Sequence, residues 1–246
     1  MRPRVLIVIP SRYASTRFPG KPLALIAGVS LIERVHRLCS GVGGDSLVVV
    51  ATDDRRIEKH VRGFGGNVMM TRRDHPSGTD RVTEVARKYP CPIVINVQGD
   101  EPLLDPRVIR KLADTMRHDP SIRMGTLCHA ITDARDGKDP NVVKVVVNAQ
   151  GNALYFSRSP IPYVREKQGG GKSPALLRHI GIYAYRRDFL LQYVRWRQSP
   201  LEHAEKLEQL RALEHGVAIR VLKTTYHAIG VDAPSDMRKV EKLLRW

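Results

Sequence analysis

Residues 5–22 read VLIVIPSRYASTRFPGKP, in which a short apolar run leads into a basic loop. The run from Val5 to Ile9 is continuous and rich in β-branched residues, a pattern that predicts a strand buried on both faces of a sheet. We expect Pro10 to end this strand, because proline has no N–H to donate to a sheet ladder. Ligands of open α/β sheets bind at the carboxyl ends of the strands, so the loop is a candidate binding site. A polyanion, most simply a triphosphate, is favoured by the three loop cations Arg12, Arg17 and Lys21.

The loop matches neither of two common phosphate-binding motifs. A Walker A motif requires a glycine at the position of Ser15 and a serine or threonine at the position of Pro22. The chain also contains no G-x-G-x-x-G dinucleotide fingerprint. A solvated basic loop without a ligand is the alternative interpretation of this segment.

The length and charge of the chain limit its class without choosing a partner. The 246 residues suffice for one large α/β domain or two small ones. The formal net charge of +16 favours anionic partners such as nucleotides, acidic sugars or nucleic acid. Aromatic residues make up only 6% of the chain and form no RNA-binding signature, so we expect no nucleic-acid partner. Much of the basic excess is expected to be solvated surface.

The apolar runs and the cysteines point to a compartment. No apolar run approaches the length of a membrane span and no signal peptide is visible, so we expect no membrane association. Cys39, Cys91 and Cys128 are far apart and form no C-x-x-C motif. This spacing argues against disulfides and zinc and is compatible with a reducing environment. We therefore expect a cytoplasmic protein.

Helix and strand signals alternate along the first half of the chain. Residues 30–33 (SLIE) form a capping box that opens a helix ended by Gly41. This alternation predicts a largely parallel sheet. The predicted strands lie at 47–51, 67–70, 92–97 and 124–130, and the helices between them are capped by Asp54, by Ser77 or Thr79, and by Asp105.

The pattern changes after residue 130. Segments 142–147 and 152–156 flank the turn residues NAQG, which predicts a β-hairpin and hence a mixed sheet or a second β layer. The glycine-rich segment 166–174 is expected to be mobile. A capping box at residues 199–202 predicts one helix that runs to His215. Further strands are predicted at 179–185 and 218–222, and a final helix is predicted to end at Trp246.

Glu208 falls on the apolar side of the predicted helix at 200–215. A carboxylate in that position must be paired or used in binding. A structural salt bridge and a ligand contact are equally compatible with the sequence.

Acidic residues after the strand at 92–97 predict a metal site. The chain continues Gln98-Gly99-Asp100-Glu101, and Mg²⁺ is typically held by one or two carboxylates together with substrate phosphates. A helix N-cap is the alternative role, but Asp105 already supplies the cap of the following helix. Asp100 is therefore the favoured metal ligand. Asp232 is either a second metal carboxylate or a helix cap.

The loop at residues 71–81, TRRDHPSGTDR, is a second candidate binding segment. It brings Arg73 and Ser77 to a predicted helix N-terminus, which suits an anion or the edge of a base. Ordinary helix capping explains the same residues equally well.

In combination, these motifs resemble the 3-deoxy-manno-octulosonate cytidylyltransferase (CMP-Kdo synthetase) family. The resemblance covers nearly the whole chain, and although each motif alone is weak, the set is highly specific. The chain departs from the family at Ser11, where alanine is common, and in the length of the segment near Gly170. The resemblance is carried by PSRYASTRFPGKPL, VVVATDD, MTRRDHPSGTDR, VINVQGDEP, ALYFSRSPIP, RHIGIYAYR, SPLEHAEKLEQLR and GVDAPSD.

The resemblance implies a fold and a reaction. The fold is an α/β, Rossmann-like nucleotidyltransferase fold with a mainly parallel mixed central sheet flanked by helices. A single domain spans 1–246, with a nucleotide-binding core at 1–130, a smaller β-rich sugar-binding and dimerisation lobe at 131–186, and a helical return at 187–246. The reaction transfers CMP from CTP to the anomeric 2-hydroxyl of 3-deoxy-D-manno-octulosonate (Kdo) and releases pyrophosphate. The resemblance also implies Mg²⁺ dependence, a homodimer and a role in lipopolysaccharide biosynthesis.

Roles of individual residues follow from the same resemblance. Arg12, Lys21, Asp100 and Asp232 are implied to be catalytic, and the two aspartates are implied to hold Mg²⁺. Arg158 is the natural partner of the Kdo carboxylate, because a guanidinium pairs with a carboxylate through two hydrogen bonds. No side chain is assigned as a general base. The implied nucleotide contacts are Arg12, Ser15, Arg17, Lys21, Ala51, Thr52, Asp53, Arg73, Ser77, Gly78 and Gln98. The implied sugar contacts are Gln98, Arg158, His179, Tyr185, Glu208 and Gln209.

Three alternatives to this function are compatible with parts of the sequence. The same reaction on an 8-amino analogue of Kdo could share nearly every motif, and a sialic acid is a more distant possibility of the same kind. A nucleic-acid-binding module would explain the charge but not Asp100 and Asp232. A structural subunit that binds CTP without turnover would explain the loop alone.

Overall fold

The strand that opens the chain, β1 (Val5–Ser11), lies in the middle of the main sheet. The computed structural model describes residues 3–14, 18–165, 175–231 and 233–244. The other strands are β2 (Leu25–Ile26), β3 (Val29–Ser30), β4 (Ser46–Thr52), β5 (Val68–Met70), β6 (Ile93–Asn96), β7 (Met124–Ala130), β8 (Lys144–Val147), β9 (Ala153–Ser157), β10 (Leu177–Arg186) and β11 (Ile219–Lys223). The helices are α1 (Leu31–Ser40), α2 (Arg55–Gly63), α3 (Gly78–Lys88), α4 (Pro106–His118), α5 (Ala134–Lys138), α6 (Arg187–Tyr193), α7 (Pro200–Glu205), α8 (Gln209–Glu214) and α9 (Pro234–Leu243).

The main sheet is mixed and mainly parallel, which confirms the predicted fold class. Its central path runs β11–β7–β10–β6–β1–β4–β5. β1 is parallel to both β4 and β6, and β11 is parallel to β7. β10 alone in this path runs antiparallel to its neighbours β6 and β7. The β8–β9 hairpin is antiparallel and joins the sheet through β8, so it extends the same sheet, while β2 and β3 form a small separate sheet.

Helices cover both faces of the sheet and bury the alternating side chains of β1. Val5, Ile7 and Ile9 pack in a core with residues of α1, α2, α4 and α9. Leu6 and Val8 pack on the opposite face with residues of α3, α6 and α8. A strand covered on both faces needs apolar residues at every position, which is why the sequence of β1 does not alternate. Within the described part of the chain, none of the helices combines the length and the apolar character needed to cross a membrane.

The predicted end of β1 at Pro10 is wrong. The strand continues to Ser11, and Pro10 and Ser11 stay in register with Ala51 and Thr52 of β4. On the other side, the pairing with β6 stops at Val8. Pro10 therefore lies where β1 has only one neighbour, so its missing N–H leaves no ladder partner unsatisfied.

The predicted single helix at 200–215 is also wrong, because the chain breaks between α7 and α8. Lys206 ends α7 in the left-handed region, with φ 53° and ψ 46°. The capping box that opens α7 is present as predicted, with Ser199 accepting from the backbone N–H of Glu202. At the break, Arg158 donates from Nε to the carbonyl oxygen of Glu205 over 2.7 Å. A carbonyl oxygen at the end of α7 thus accepts a hydrogen bond from a side chain that follows β9.

A buried ion pair joins the two halves of the broken helix. Arg211 of α8 donates from Nε to Glu202 of α7 over 2.6 Å, and its Nη2 reaches the other carboxylate oxygen. Both side chains are less than 10% exposed. The remaining predicted helices begin at Ser30, Asp54, Ser77 and Asp105 as N-caps, which confirms those starts. The predicted mobility of 166–174 and the predicted helix end at Trp246 lie outside the described residues.

We expect Arg211→Met to lower the free energy of unfolding by about 3–5 kcal/mol, because Glu202 is left buried and unpaired. Urea denaturation measures this loss. Arg37→Met is the matched control, since it removes an exposed ion pair with Glu33 on α1 and should cost less than about 1 kcal/mol. Similar losses in the two variants would contradict a special role for the buried pair.

Candidate active site

Two adjoining cavities open at the edge of the sheet where β1, β4 and β6 end. The first, which we call the loop cavity, has a volume of about 450 Å³ and is lined by the loop after β1, by residues 76–78 and by residues 98–100. The second, the β10 cavity, has a volume of about 490 Å³ and is lined by β10 and by the break between α7 and α8. Gly78 and Gln98 line both cavities. The site is therefore two connected chambers at the carboxyl ends of parallel strands, as the sequence predicts.

An ion pair lies at the floor of the loop cavity. Lys21 donates from Nζ to Asp100 over 2.8 Å and to the carbonyl oxygen of Val231 over 2.8 Å. Asp100 keeps about a third of its side-chain surface exposed to the cavity. Gly99 allows this approach, because a Cβ there would lie 3.2 Å from Ser11 Oγ and 3.4 Å from the carbonyl oxygen of Pro10. The structure thus brings together Lys21 and Asp100, two of the residues that the sequence predicts.

The two acidic residues after β6, Asp100 and Glu101, lie in different environments. Asp100 faces the loop cavity, whereas Glu101 is 6% exposed and accepts a hydrogen bond from the Tyr226 hydroxyl over 3.2 Å. Burial, followed by the nearby Asp100 carboxylate, raises the pKa of Glu101 to about 7. Only Asp100 of the pair is therefore placed to meet a ligand in the loop cavity.

Arg12 and Ser77 frame the mouth of the loop cavity. Arg12 donates to the carbonyl oxygen of His75, which joins the loop after β1 to the loop before α3. Ser77, not Thr79, is the N-cap of α3: its Oγ accepts from the N–H of Asp80 over 3.2 Å. α3 begins at Gly78, which lines the cavity, and the free N–H groups of a helix N-terminus suit an anion.

Four residues predicted to contact a nucleotide do not line the loop cavity. Ala51 and Thr52 are fully buried at the end of β4. Asp53 pairs instead with Arg81, at 3.3 Å from its Nη2. Arg73 is exposed on the loop before α3. Ser15 and Arg17 lie outside the described residues.

Arg81 is a residue of the loop cavity that sequence reasoning missed. It is fully buried in the first turns of α3, donates to Thr71, and has no hydrogen-bond partner for Nε. Burial lowers the pKa of its guanidinium, and the Asp53 carboxylate opposes that effect. A usable signal existed, because Arg81 precedes Val82 and lies four residues before Val85 on the buried side of the helix. A cation placed among apolar positions indicates a polar partner inside the protein.

Glu208 and Gln209 meet the β10 cavity as predicted. The Oε2 atom of Glu208 accepts from the Thr79 hydroxyl over 2.6 Å, and burial raises the pKa of this carboxyl group. Gln209 is 4% exposed and its Nε2 has no partner. Asn96, at the end of β6, lines the same cavity with its Oδ1 unpaired. Buried polar atoms without partners on a cavity wall suit a ligand with many hydroxyl groups.

The predicted position of Glu208 on the apolar side of one continuous helix is wrong. Glu208 lies at the break between α7 and α8, where it occupies the N-cap position of α8 without a side-chain cap hydrogen bond. Its neighbours are therefore set by the break. The Thr79 hydroxyl, from the start of α3, is its partner.

Tyr185, a predicted sugar contact, does not line the β10 cavity, whereas Tyr183 does. β10 runs antiparallel to β6, with Tyr183 opposite Asn96 and Tyr185 opposite Val94. Moving from Tyr183 to Tyr185 therefore leads away from the carboxyl end of β6 and into the sheet. Tyr185 is 2% exposed and packs in the core beside Phe189, Tyr193 and Tyr183.

His179 lies at the start of the part of β10 that faces the cavity. Its Nε2 is 3.0 Å from the Thr126 hydroxyl, and the edge of the ring packs on Phe156 with centroids 5.1 Å apart. Burial lowers the pKa of His179 to about 3, so the imidazole is neutral at physiological pH. His179 can therefore exchange hydrogen bonds with a ligand but brings no charge to it.

Two arginines line the β10 cavity, of which sequence reasoning identified one. Arg158 is partly used inside the protein: besides the bond to Glu205, its Nη1 donates to the carbonyl oxygen of Pro140 over 2.9 Å. Arg178, which was missed, has a longer ion pair of 3.6 Å with Asp136. The two guanidinium groups bring positive charge to the cavity, which suits a carboxylate.

Asp100 is the described residue whose chemistry fits the predicted magnesium site. No three histidine, cysteine, aspartate or glutamate side chains converge on one point within the described ranges. Mg²⁺ does not need such a cluster, because substrate phosphates and water complete its shell. The oxygens of Asp100, partly exposed and ion-paired with Lys21, fit this requirement. Asp232, the second predicted ligand, lies outside the described residues.

The sequence as a whole matches known proteins. It matches the cytidylyltransferase family over residues 6–219. A protein of Syntrophotalea carbinolica, named 3-deoxy-manno-octulosonate cytidylyltransferase, is 52% identical over 98% of this chain and 98% of its own length. A protein of Escherichia coli with the same name is 48% identical over 98% of this chain and 96% of its own length.

Solved structures give the same result at the level of the fold. A CMP:2-keto-3-deoxy-manno-octonic acid synthetase complexed with CTP aligns with a TM-score of 0.93, at 48% identity over 98% of both chains. A cytidylyltransferase from Leptospira borgpetersenii aligns with a TM-score of 0.65 at 14% identity, covering 99% of this chain and 87% of its own. The second similarity shows that the fold extends well beyond close relatives.

We expect neutral His179 to make stability depend on pH. Its pKa is about 3 in the folded protein against an ordinary 6.5, so the unfolded chain binds the extra proton first as the pH falls. The stability that depends on neutral His179 is therefore complete above pH 6.5 and is lost progressively towards pH 3. Between pH 7 and pH 5 the wild type should lose about 1–2 kcal/mol more unfolding free energy than His179→Gln, as measured by urea denaturation. The exposed His118→Gln is the control and should keep the wild-type pH dependence, whereas equal slopes for all three proteins would contradict the buried neutral state.

Proposed function

The chain belongs to the 3-deoxy-manno-octulosonate cytidylyltransferase family, and we propose that it transfers CMP from CTP to the anomeric 2-hydroxyl of Kdo, releasing pyrophosphate. The observation that carries this proposal is the pair of cavities that meet at Gly78 and Gln98. The loop cavity is lined by cations, Asp100 and the start of α3, and the β10 cavity by polar side chains that include Glu208, two arginines and Lys206. Two substrates that react with each other must be held in neighbouring sites, so that their reacting atoms meet in the right geometry.

The loop cavity is the proposed CTP site. Arg12 and Lys21 offer positive charge to the phosphates, and the start of α3 at Gly78 offers backbone N–H groups. Arg81 adds a buried guanidinium with an unpaired Nε. The cytosine is placed near Ser77 and Gly78, where backbone groups can distinguish its amino group from the oxygen of uracil.

The β10 cavity is the proposed Kdo site. Arg158 and Arg178 are the proposed partners of the sugar carboxylate, since a guanidinium binds a carboxylate through paired hydrogen bonds. Glu208 and Gln209 are the proposed partners of its hydroxyl groups. Gln98 lies between the cavities, next to the position where the sugar meets the nucleotide.

Catalysis in this arrangement is mainly positioning and charge neutralisation. The 2-hydroxyl oxygen of Kdo attacks the α-phosphorus of CTP, a new P–O bond forms, and the bond to the bridging oxygen of pyrophosphate breaks. Both substrates are anions, so repulsion opposes their approach. Lys21, held by Asp100 and the Val231 carbonyl, is placed to offset the charge that develops on the leaving pyrophosphate.

Mg²⁺ is proposed as the cofactor, with Asp100 and Asp232 as the residues that would hold it. When bound, it would lower the pKa of the attacking hydroxyl and offset phosphate charge. We further propose a cytoplasmic homodimer that acts in lipopolysaccharide biosynthesis. The exposed apolar side chains of Leu154 and Tyr163, on the lobe at 131–186, support self-association.

We expect the purified protein to release pyrophosphate from CTP only when Kdo and Mg²⁺ are both present. A coupled pyrophosphate assay with controls lacking sugar or metal tests this expectation. Competition between Kdo and its 8-amino analogue in the same assay identifies the preferred sugar. A folded protein that binds CTP but releases no pyrophosphate with either sugar would contradict the proposal.

We expect Asp100→Asn to reduce kcat by about 100-fold or more, because it removes the carboxylate that anchors Lys21 and that would hold Mg²⁺, the two cations that offset phosphate charge. Asp105→Asn is the matched control: it lies in the same loop, and asparagine also caps helices well. Steady-state kinetics of both variants should show a loss only at Asp100. Equal kcat values for the two variants would remove Asp100 from the catalytic site.

We expect Glu208→Ala to raise the KM for Kdo about tenfold or more while leaving the KM for CTP within about twofold of wild type. Glu208 lines only the β10 cavity, so a selective effect on the sugar follows. Glu214→Ala, which alters a carboxylate at the end of α8 outside both cavities, is the control and should leave both constants unchanged. An unchanged KM for Kdo in Glu208→Ala would place the sugar elsewhere.

A further inference from the structure

Thr126 is a fully buried residue of β7 that lies beneath the β10 cavity without lining it. It faces an irregular part of the β7–β10 pairing, where the register moves from Ile180 opposite Leu127 to Tyr183 opposite Thr126. The irregularity turns two backbone carbonyl oxygens towards the Thr126 hydroxyl. The oxygen of Ile182 is 2.8 Å from Oγ1, and the oxygen of Ile180 is 3.1 Å away.

The Thr126 hydroxyl has a third neighbour, His179 Nε2, at 3.0 Å. A hydroxyl has one proton to donate and lone pairs with which it accepts. Carbonyl oxygens only accept, so the single proton points to one of the two carbonyls. If the hydroxyl proton of Thr126 pointed to His179 instead, neither carbonyl oxygen would receive it. Both carbonyl oxygens would then face the lone pairs of Thr126 Oγ1 in the interior of the protein. The nitrogen of His179 must therefore donate to Thr126, and the imidazole carries its proton on Nε2.

The other ring nitrogen of His179 is then an acceptor. Nδ1 makes no hydrogen bond to any other residue in the described ranges, and the His179 side chain lines the β10 cavity. Phe156 and Tyr183 pack against the ring, and Nδ1 is its polar atom without a hydrogen-bond partner among the described residues. The low pKa of the buried ring is consistent with a neutral imidazole.

We propose that Thr126 is a positioning residue that fixes the Nε2–H tautomer of His179, so that Nδ1 accepts a hydrogen bond from a hydroxyl group of the acidic sugar. This inference rests on the proposed function of the β10 cavity. It assigns the hydrogen bonds of the sugar: one of its hydroxyl groups donates to His179, whereas the carboxylate, which cannot donate when ionised, pairs with an arginine. A group that can only accept is rejected at His179, because two lone pairs would then face each other.

The tautomer of His179 tests the first part of the proposal directly. Nitrogen-15 NMR of the ligand-free wild-type protein distinguishes protonated from unprotonated ring nitrogens, and the signal lost in His179→Gln identifies the residue. The expected result is a protonated Nε2 and an unprotonated Nδ1. Thr126→Val, which has nearly the same shape but no hydroxyl, should shift the signal towards the Nδ1–H form, whereas Thr126→Ser should retain the wild-type spectrum. A wild-type ring that carries its proton on Nδ1 would overturn the proposal without any variant.

Kinetics test the second part. Thr126→Val should raise the KM for Kdo about tenfold, because a donor replaces the acceptor that faces the sugar, while kcat and the KM for CTP stay within about twofold. Thr126→Ser should restore the wild-type KM for Kdo. An unchanged KM in Thr126→Val, together with a shifted tautomer, would overturn the role of Nδ1 in sugar binding. Absence of Kdo turnover in the wild type would instead refute the proposed function, and the spectra would still decide whether Thr126 sets the tautomer.

Discussion

The pairing of β1 with β4 on one side and β6 on the other is the constraint on which the site depends. Each of these strands is buried on both faces, so its backbone N–H and C=O groups must be satisfied within the sheet. The register is therefore fixed, with Val5 opposite both Ser46 and Ile93. Because the three strands run parallel, their carboxyl ends come to one edge. The loops that supply Arg12, Gln98 and Asp100 all start from that edge, which is how residues almost ninety positions apart come to share one cavity.

β10 completes the site because it runs against its neighbours. An antiparallel strand between β6 and β7 places its beginning, and not its end, at the ligand-binding edge. Arg178 and His179 are thereby brought beside Gln98 and the start of α3. The break between α7 and α8 has a similar effect, since it turns Glu208 and Gln209 towards the same cavity. A continuous helix would have carried them past it.

The parts of this arrangement that depend on local chemistry were predictable from the sequence, and the parts that depend on direction were not. The N-caps at Ser30, Asp54 and Asp105 and the buried strands follow from short-range rules, and the structure confirms them. Family resemblance identified several of the cavity residues, including Lys21 and Asp100. It could not choose between Tyr183 and Tyr185, which point to the same side of one strand, because the choice depends on how far β10 slides along β6. Lys206 adopts a left-handed backbone conformation but is not glycine, so the local sequence does not indicate the break between α7 and α8. Arg81 and Thr126 form hydrogen bonds with residues distant in the sequence. The place of Arg81 among apolar positions indicates a buried polar partner without identifying it, and no pattern in the sequence marks Thr126.

The distribution of charge explains why a net charge of +16 identifies the class of ligand but not its site. Three helices begin with an aspartate N-cap followed two residues later by an arginine, and in each case the arginine returns to its own cap. These pairs are Asp54 with Arg56, Asp105 with Arg107, and Asp133 with Arg135. Such arginines belong to the surface and contribute little to binding.

The cations of the two cavities differ in how they are held. Lys144, fully buried in the β8–β9 hairpin, donates to the carbonyl oxygen of Arg158 and to those of Asp139 and Val142. Arg158 in turn donates hydrogen bonds to the carbonyl oxygens of Glu205 and Lys206 at the end of α7. Arg12 and Arg158 are held by backbone carbonyl oxygens, which fix a guanidinium without neutralising its charge. Lys21, Arg81 and Arg178 are instead paired with the carboxylates of Asp100, Asp53 and Asp136. A cation paired with a carboxylate attracts a new anion less than one held by neutral oxygens, so Arg12 and Arg158 keep the most charge for the two anionic substrates.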